Sequence, residues 1–228
     1  LITGPTASGK STFALKLAHH LNGEIVSADS MQIYRECNIA TAKPMPREQQ
    51  LIPHHLIDII EPTVRFSAAM WADAAREAIA QIRARGKTPI VVGGTGFYLR
   101  ALLEPETLAQ VPPNQELRAE LELLDSQALW EKLIQVDSQA ASRLDPQNTK
   151  RVIRAIEVAL GEKVLLPEMP KIPCKAYGLD WPREILYNRI NARVDEMMAA
   201  GFMHELRYLA EKYGRTVPAL DGIGYKEM

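Results

Sequence analysis

The chain has 228 residues, 46% of them apolar and 24% charged, with a formal net charge of −1. That is the composition of a soluble globular protein, long enough for one large domain or a core with an inserted one. The near-zero charge excludes a global basic field, so a nucleic acid would have to be met by local basic patches.

The first element is a short buried strand, "LITG", which runs into "GPTASGKST". This stretch fits the phosphate-cradling pattern G-x-x-x-x-G-K-[ST], with Gly4, Gly9, Lys10 and Ser11 at the required spacing. Pro5, Thr6, Ala7 and Ser8 complete the loop. Amide N–H groups in a glycine-rich turn at a helix N-terminus form an anion site. Lys10 adds a point charge and Ser11 a hydroxyl able to ligate Mg²⁺. Residues 10–21 read as a helix, with Phe13, Ala14, Leu17, Ala18 and Leu21 at helical spacing. "EIVSADS" is a second strand that ends at Asp29. In an open parallel sheet ligands bind beyond the carboxyl ends of the strands, so Asp29 reads as a Mg²⁺ ligand or a general base. Asp-Ser is also good turn chemistry. The pair His54-His55 has no partner at metal-ligand spacing and reads as structural.

Residues 67–85 read as a helix capped by Ser67 and stopped by Gly86. "TPIVVGGTG" is an apolar strand running into glycines. A nucleotide-hydrolysing relative of this fold would carry an Asp at that strand end to help hold Mg²⁺. Here Thr95 follows two glycines, offering one hydroxyl donor or simply a tight turn. Alternating strands and helices give an α/β fold, a P-loop NTPase-like parallel sheet flanked by helices. After about residue 104 the pattern changes. A Pro-rich linker leads to helical patterns with no convincing strand over residues 114–160, followed by a second linker, "LLPEMPKIP". "CKAYGLDW" reads as a strand returning to the sheet, and residues 183–213 are helical again. The organisation is therefore a P-loop core (residues 1–108), a small all-helical insertion (109–173) and a return to the core (174–228), with both ends expected to belong to a longer protein.

Within the insertion, Lys150, Arg151 and Arg154 form a basic cluster, readable as phosphate contact or as a solvated helix face. Arg189 and Arg193 share one helix face, suiting joint phosphate contact or ordinary surface pairing. Cys37 and Cys174 form neither a CxxC pair nor a disulfide framework, which suits a reducing cytoplasm. No apolar run approaches a membrane span and no signal segment is visible, so no membrane association is expected.

Together "GPTASGKS", "SADSMQIY", "IATAKP", "HHLIDI", "FSAAMWADA", "VVGGTGFYLRALL", "RVIRAIEV", "GLDWPRE", "RINARVDEM" and "GIGYKEM" resemble the tRNA dimethylallyltransferase (tRNA isopentenyltransferase) family, end to end and in the family's order. The resemblance implies transfer of a dimethylallyl group from its diphosphate to N6 of the adenosine just 3′ of the anticodon, with Mg²⁺ and a tRNA anticodon stem-loop as partners and a monomer as the acting species. It implies that the P-loop holds the diphosphate leaving group. Asp29 then reads as the base, and Lys10, Ser11, Thr95 and Arg193 as the groups stabilising the departing anion. It further implies tRNA contacts by Asp29, Ser30, Met31, Gln32, Thr95 and Arg118. Two further stretches complete that surface: Arg151, Val152, Ile153, Arg154 and Ala155, and Asp221, Gly222, Ile223, Gly224, Tyr225 and Lys226. Asp221 departs from the family's pattern, where a basic or amide side chain is expected. The 160–173 region is shorter than usual, and the family continues with further helices. Two alternatives remain open: a P-loop small-molecule kinase of the nucleoside or shikimate type, and a non-catalytic RNA-binding module.

Overall fold

A computed structural model describes all residues except Ala109, residues 165–169 and the side chain of Thr107. The expected linker "LLPEMPKIP" therefore lies partly outside the described residues. The chain forms two compact units, residues Leu1–Pro105 with Lys171–Met228, and residues Glu106–Pro170.

The first unit is built on five parallel strands in the order β3-β2-β4-β1-β5. Strand β1 (Ile2–Thr3) feeds the phosphate loop and helix α1 (Lys10–His20), and β2 (Gly23–Ser27) follows. Short helix α2 (Pro46–Leu51) precedes β3 (His54–His55), a two-residue strand that periodicity did not reveal. It exists because Ile25 and Val26 of β2 pair with it. Helix α3 (Ala68–Ala84) begins where expected, with Ser67 Oγ accepting the Met70 N–H at 3.2 Å. Strand β4 (Thr88–Val92) runs into helix α4 (Gly96–Leu103). Ile2, Ala14, Ala18, Ile25, Ile52, Ile90 and Val92 form the core between sheet and helix. Phe13 and Leu21, read at helical spacing on α1, are 40% and 43% exposed, and that helix packs through buried Ala14 and Ala18 with Leu15 and Leu17 partly buried beside them.

The second unit is all-helical among its described residues: α5 (Gln115–Glu122), α6 (Ser126–Val136), α7 (Ser138–Ala141) and α8 (Thr149–Leu160). Each helix starts on an Asn or Asp side chain: Asn114, Asp125, Asp137 and Asn148 accept the N–H groups of Leu117, Ala128, Ala140 and Arg151. Such caps satisfy donors that a helix start otherwise leaves open. Leu121, Leu129, Leu133, Ala141, Val152, Ile153 and Ile156 close its core.

The chain returns as β5 (Tyr177–Gly178), pairing Tyr177 with Ile2 and Gly178 with Thr3, the expected return to the sheet. The single helical run expected over residues 183–213 is two helices, α9 (Arg183–Ala199) and α10 (Phe202–Tyr213). Gly201 divides them with φ near +98°, a conformation that costs glycine little and other residues more. Among the described residues, no helix is long and apolar enough to cross a membrane.

One buried carboxylate anchors the outer half of the sheet. Glu24, on β2, accepts from His55 Nε2 at 2.6 Å and Arg85 at 2.7 Å, with Lys87 Nζ at 3.1 Å. His55 thus has the structural role expected of the pair, and His54 Nδ1 lies 2.7 Å from Ile52 O. Burial alone would push the Glu24 carboxyl up, but the hydrogen bonds from Arg85, His55 and Lys87 outweigh it and bring it down to about 2. A carboxyl with a depressed folded-state pKa contributes stability above its unfolded value of 4.5 and loses it as pH falls toward 2. Glu24→Gln is expected to lower stability at pH 7 by about 1–3 kcal/mol. Urea unfolding at a series of pH values should show the gap between the two proteins narrowing between pH 4.5 and 2. A gap of constant size would mean that Glu24 is not held ionised by these partners.

Candidate functional site

Residues 4–9 fold into a loop in which Gly4, Ala7 and Gly9 have φ near +147°, +62° and +91°. Gly4 is required there on a second count: a Cβ would lie 2.6 Å from the Leu179 carbonyl oxygen. Such a turn gathers backbone N–H groups on its concave side, provided its carbonyls are engaged elsewhere. Four of them are. Lys10 Nζ donates to Gly4 O at 2.9 Å and Pro5 O at 2.7 Å. Trp181 Nε1 donates to Ser8 O at 2.9 Å, and Arg189 Nε to Ala7 O at 2.6 Å. The Arg189 guanidinium lies 5.2 Å over the Trp181 ring, so the two donors brace each other. Trp181 and Arg189 were not singled out as loop partners from the sequence; they lie 173 and 182 residues from the carbonyls they hold. The Ser8 hydroxyl is buried and makes no hydrogen bond, an unmet polar group that an oxyanion in the loop would satisfy.

The strand ends beside the loop are packed to the limit. A Cβ on Gly93 would lie 2.1 Å from the Ala28 carbonyl oxygen, so only glycine lets β4 pass the end of β2. Gly93 N donates to Ile2 O at 3.1 Å, Ala28 N to Val92 O at 2.7 Å, and Thr95 N to Ala28 O at 3.2 Å. Three strand ends are thus tied within a few residues. Trp71, fully buried on α3, donates its indole N–H to Ser27 O at 3.0 Å and stacks on Tyr98 at 4.7 Å, holding the end of β2 against the start of α4.

Asp29 follows β2. Its Oδ1 accepts from the N–H groups of Met31 at 2.8 Å and Gln32 at 3.3 Å. The turn role considered for this residue is therefore real, and it orients the carboxylate by one oxygen. Thr95 Oγ1 accepts the Ser30 N–H at 3.1 Å and lies 3.4 Å from Ser30 Oγ. The Thr95 hydroxyl therefore joins the end of β4 to the Asp29 turn, as well as standing at the N-cap of α4. Gln32 is held from both sides: Ser27 Oγ donates to its Oε1 at 3.0 Å, and its Nε2 donates to Thr41 O at 3.2 Å. Burial pulls the Lys10 ammonium below the usual lysine range, Arg193 adds to that, and the Asp29 carboxylate opposes it. Lys10, Asp29 and Arg193 therefore share one electrostatic neighbourhood. Ser11 lies exposed in the first turn of α1, while Pro5 and Thr6 are exposed on the loop.

The 221–226 stretch reaches the same turn. A Cβ on Gly222 would meet Met31 Cε at 2.2 Å, so Met31 packs directly on that glycine. Asp221 is among the charges acting on Tyr34. Ile223 is 81% exposed, Gly224 N donates to Glu227, and Lys226 pairs loosely with Glu227 at 3.8 Å.

The helical unit presents less free basic surface than its sequence indicated. Glu157, 1% exposed, accepts from Arg118 through both carboxylate oxygens at 2.9 Å, from Asn114 N at 2.6 Å and from Arg154. Arg154 also donates to Val111 O at 2.7 Å. Burial would raise the Glu157 carboxyl, but these partners hold it below the usual range. Val152 and Ile153 belong to the core and Ala155 packs against it, whereas Arg151 is exposed.

The IPP transferase family model matches residues 32–228. A tRNA dimethylallyltransferase of Roseiflexus castenholzii is 46% identical over 99% of this chain and 77% of its own length. Its counterpart in Chloroflexus aggregans is 49% identical over 98% of this chain and 79% of its own length. Among solved structures, the full-length tRNA isopentenylpyrophosphate transferase of Bacillus halodurans superimposes with a TM-score of 0.69 at 40% identity, covering 99% of this chain and 74% of that one. A eukaryotic dimethylallyltransferase captured acting on tRNA gives a TM-score of 0.80 at 28% identity, covering 99% and 61%.

Gly93→Ala is expected to destabilise the fold by about 2–3 kcal/mol through overpacking at the Ala28 carbonyl. Gly94→Ala, whose Cβ would come no nearer than 3.6 Å to another residue, should cost far less. Chemical denaturation of both variants checks this; equal stabilities would mean that the strand ends part without cost.

Proposed function

The chain belongs to the IPP transferase family and is a tRNA-modifying prenyltransferase, and on that premise we propose that it moves a dimethylallyl group from dimethylallyl diphosphate to N6 of the adenosine 3′ to the anticodon. The observation that carries this reading is a complete phosphate loop beside a strand end of Gly93, Gly94 and Thr95 with no carboxylate. A loop that grips a leaving diphosphate does not need the strand-end Asp that nucleotide hydrolysis uses. The kinase alternative would share the loop, Lys10 and Ser11, but the family match does not favour it, and the intact Lys10 and Asp29 speak against a non-catalytic module.

An adenine amine is a poor nucleophile, because its lone pair is delocalised into the ring. Asp29, oriented through Oδ1, takes the N6 proton as the N6–C1 bond forms. The C1–O bond breaks in the same step and its electron pair leaves on the diphosphate. Lys10, Arg193 and the loop amides meet the charge that develops there. Lys10 would exchange its bonds to Gly4 O and Pro5 O for phosphate oxygens. Among the described residues no cluster of three or more His, Cys, Asp or Glu side chains could hold a metal by itself. The Ser11 hydroxyl, exposed in the first turn of α1, would be the protein ligand of a Mg²⁺ bound with the diphosphate. When bound there, the ion neutralises leaving-group charge.

For the RNA, the target base must leave its stack to reach the Asp29 turn. Asp29, Ser30, Met31 and Gln32, with Thr95 and the adjoining 221–226 stretch, line the place for it. On the helical unit, the exposed Arg151 is the contact assigned to phosphate, while Arg118 and Arg154 serve the fold through Glu157.

Incubating the protein with dimethylallyl diphosphate, Mg²⁺ and unmodified tRNA should yield a prenylated adenosine by mass spectrometry. Asp29→Ala should lower the single-turnover rate by about 10²–10⁴-fold with tRNA affinity largely kept. Transfer within a few-fold of wild type would remove Asp29 from the base role, and no prenylated product from wild type would refute the reading.

A further inference from the structure

A second nest of backbone amides lies away from the phosphate loop, and it is already filled. Glu205, on α10, is 8% exposed. Its carboxylate accepts from three consecutive main-chain N–H groups: Asn38 at 2.8 Å, Ile39 at 2.8 and 3.1 Å, and Ala40 at 3.4 Å. It also accepts the Tyr225 hydroxyl at 2.7 Å. Successive amides converging in this way select an anion, and here the anion is a side chain of the same chain.

The consequence lies two residues further on. The loop that Glu205 holds presents the carbonyls of Thr41 and Ala42 to the Gln32 amide, at 3.2 and 3.4 Å. The loop is closed internally by Ala42 N to Ile39 O at 3.0 Å, Lys43 N to Asn38 O at 3.0 Å and Thr41 Oγ1 to Cys37 O at 2.7 Å. These bonds tie residues 37–43 to one another. The Gln32 N–H is in turn one of the two donors that orient Asp29. Tyr225 lies three residues from Gly222, which packs on Met31 of the same turn. Glu205 thus grips the Asp29 turn twice, through the 38–42 loop and through Tyr225.

From this geometry we infer that Glu205 is a positioning residue for prenyl transfer, setting the Asp29 turn and the target-base pocket through the 38–42 loop and Tyr225 without touching either substrate. The inference rests on the prenyl-transfer reading above. It separates α10 from the donor side of the site: the phosphate loop is braced by Lys10, Trp181 and Arg189, none of which Glu205 contacts. Removing Glu205 should therefore displace the base pocket while leaving the diphosphate cradle as it is.

The test is single-turnover transfer at saturating donor and tRNA, with donor affinity measured separately by titration of dimethylallyl diphosphate. Glu205→Ala should slow transfer by about 10–100-fold, the cost of misplacing a reacting group by roughly 1 Å, with donor affinity unchanged. Glu205→Gln keeps one oxygen for the amides and should recover most of the rate. Tyr225→Phe removes only the hydroxyl contact and should slow transfer by a few-fold; it carries the test if Glu205→Ala does not fold. Rates equal to wild type in the folded variants would overturn the inference while leaving the prenyl-transfer reading intact. Parallel loss of donor affinity would also overturn it, showing a general effect on the fold. A wild type that transfers nothing in the same assay would overturn both.

Discussion

Everything at the site depends on how closely β4 passes the end of β2. With a hydrogen atom as its only side chain, Gly93 lets its backbone lie against the Ala28 carbonyl, where a methyl group would be 2.1 Å away. The contact aligns the ends of β1, β2 and β4 through Gly93 N to Ile2 O, Ala28 N to Val92 O and Thr95 N to Ala28 O. Three functions then fall within reach of one another. The phosphate loop leaves β1, the Asp29 turn leaves β2, and the Thr95 hydroxyl leaves β4 to hold Ser30. A parallel sheet brings its functional loops together at one end; here a single glycine sets how tightly.

The same region explains why a nucleotide-type loop can serve a different reaction. An oxyanion site of main-chain amides recognises phosphate groups and is indifferent to what they are attached to. What the neighbouring strand ends contribute decides the chemistry. A carboxylate at the end of β4 would belong to hydrolysis, whereas Gly93, Gly94 and Thr95 leave that place without one. The carboxylate that follows β2, Asp29, is tied into a turn with Gln32 and Met31. Those two bonds fix one oxygen of the carboxylate, which suits the base role proposed for it.

Much of this was legible in the sequence because it is local. The loop motif, the Ser67 cap, the apolar run of β4 and the return strand at Tyr177 are encoded within a few residues of one another. What was not legible depends on partners far along the chain. Strand β3 is two residues long and owes its existence to β2. Gly201 divides the helical stretch of residues 183–213 in two by its left-handed φ. The basic cluster on α8 read as a phosphate surface or a solvated face; the Arg154–Glu157 pair is local at i,i+3, but nothing nearby in sequence shows that Glu157 is buried and also draws in Arg118, 39 residues away. Trp181, Arg189 and Glu205 act on backbone atoms, and contacts of that kind leave no motif beyond the residue itself.

On the proposed reading, the loop of residues 4–11 binds a prenyl diphosphate as a leaving group. Calorimetric titration with dimethylallyl diphosphate in the presence of Mg²⁺, repeated on Lys10→Ala and in competition with ATP, tests it most directly. One binding site is expected in the wild type, with an affinity loss of at least about tenfold in Lys10→Ala, since one charge-assisted phosphate contact contributes roughly 1.5–3 kcal/mol, and with little displacement by equimolar ATP. Preferential binding of ATP, with its γ-phosphoryl group transferred or hydrolysed and no measurable affinity for the prenyl donor, would contradict it.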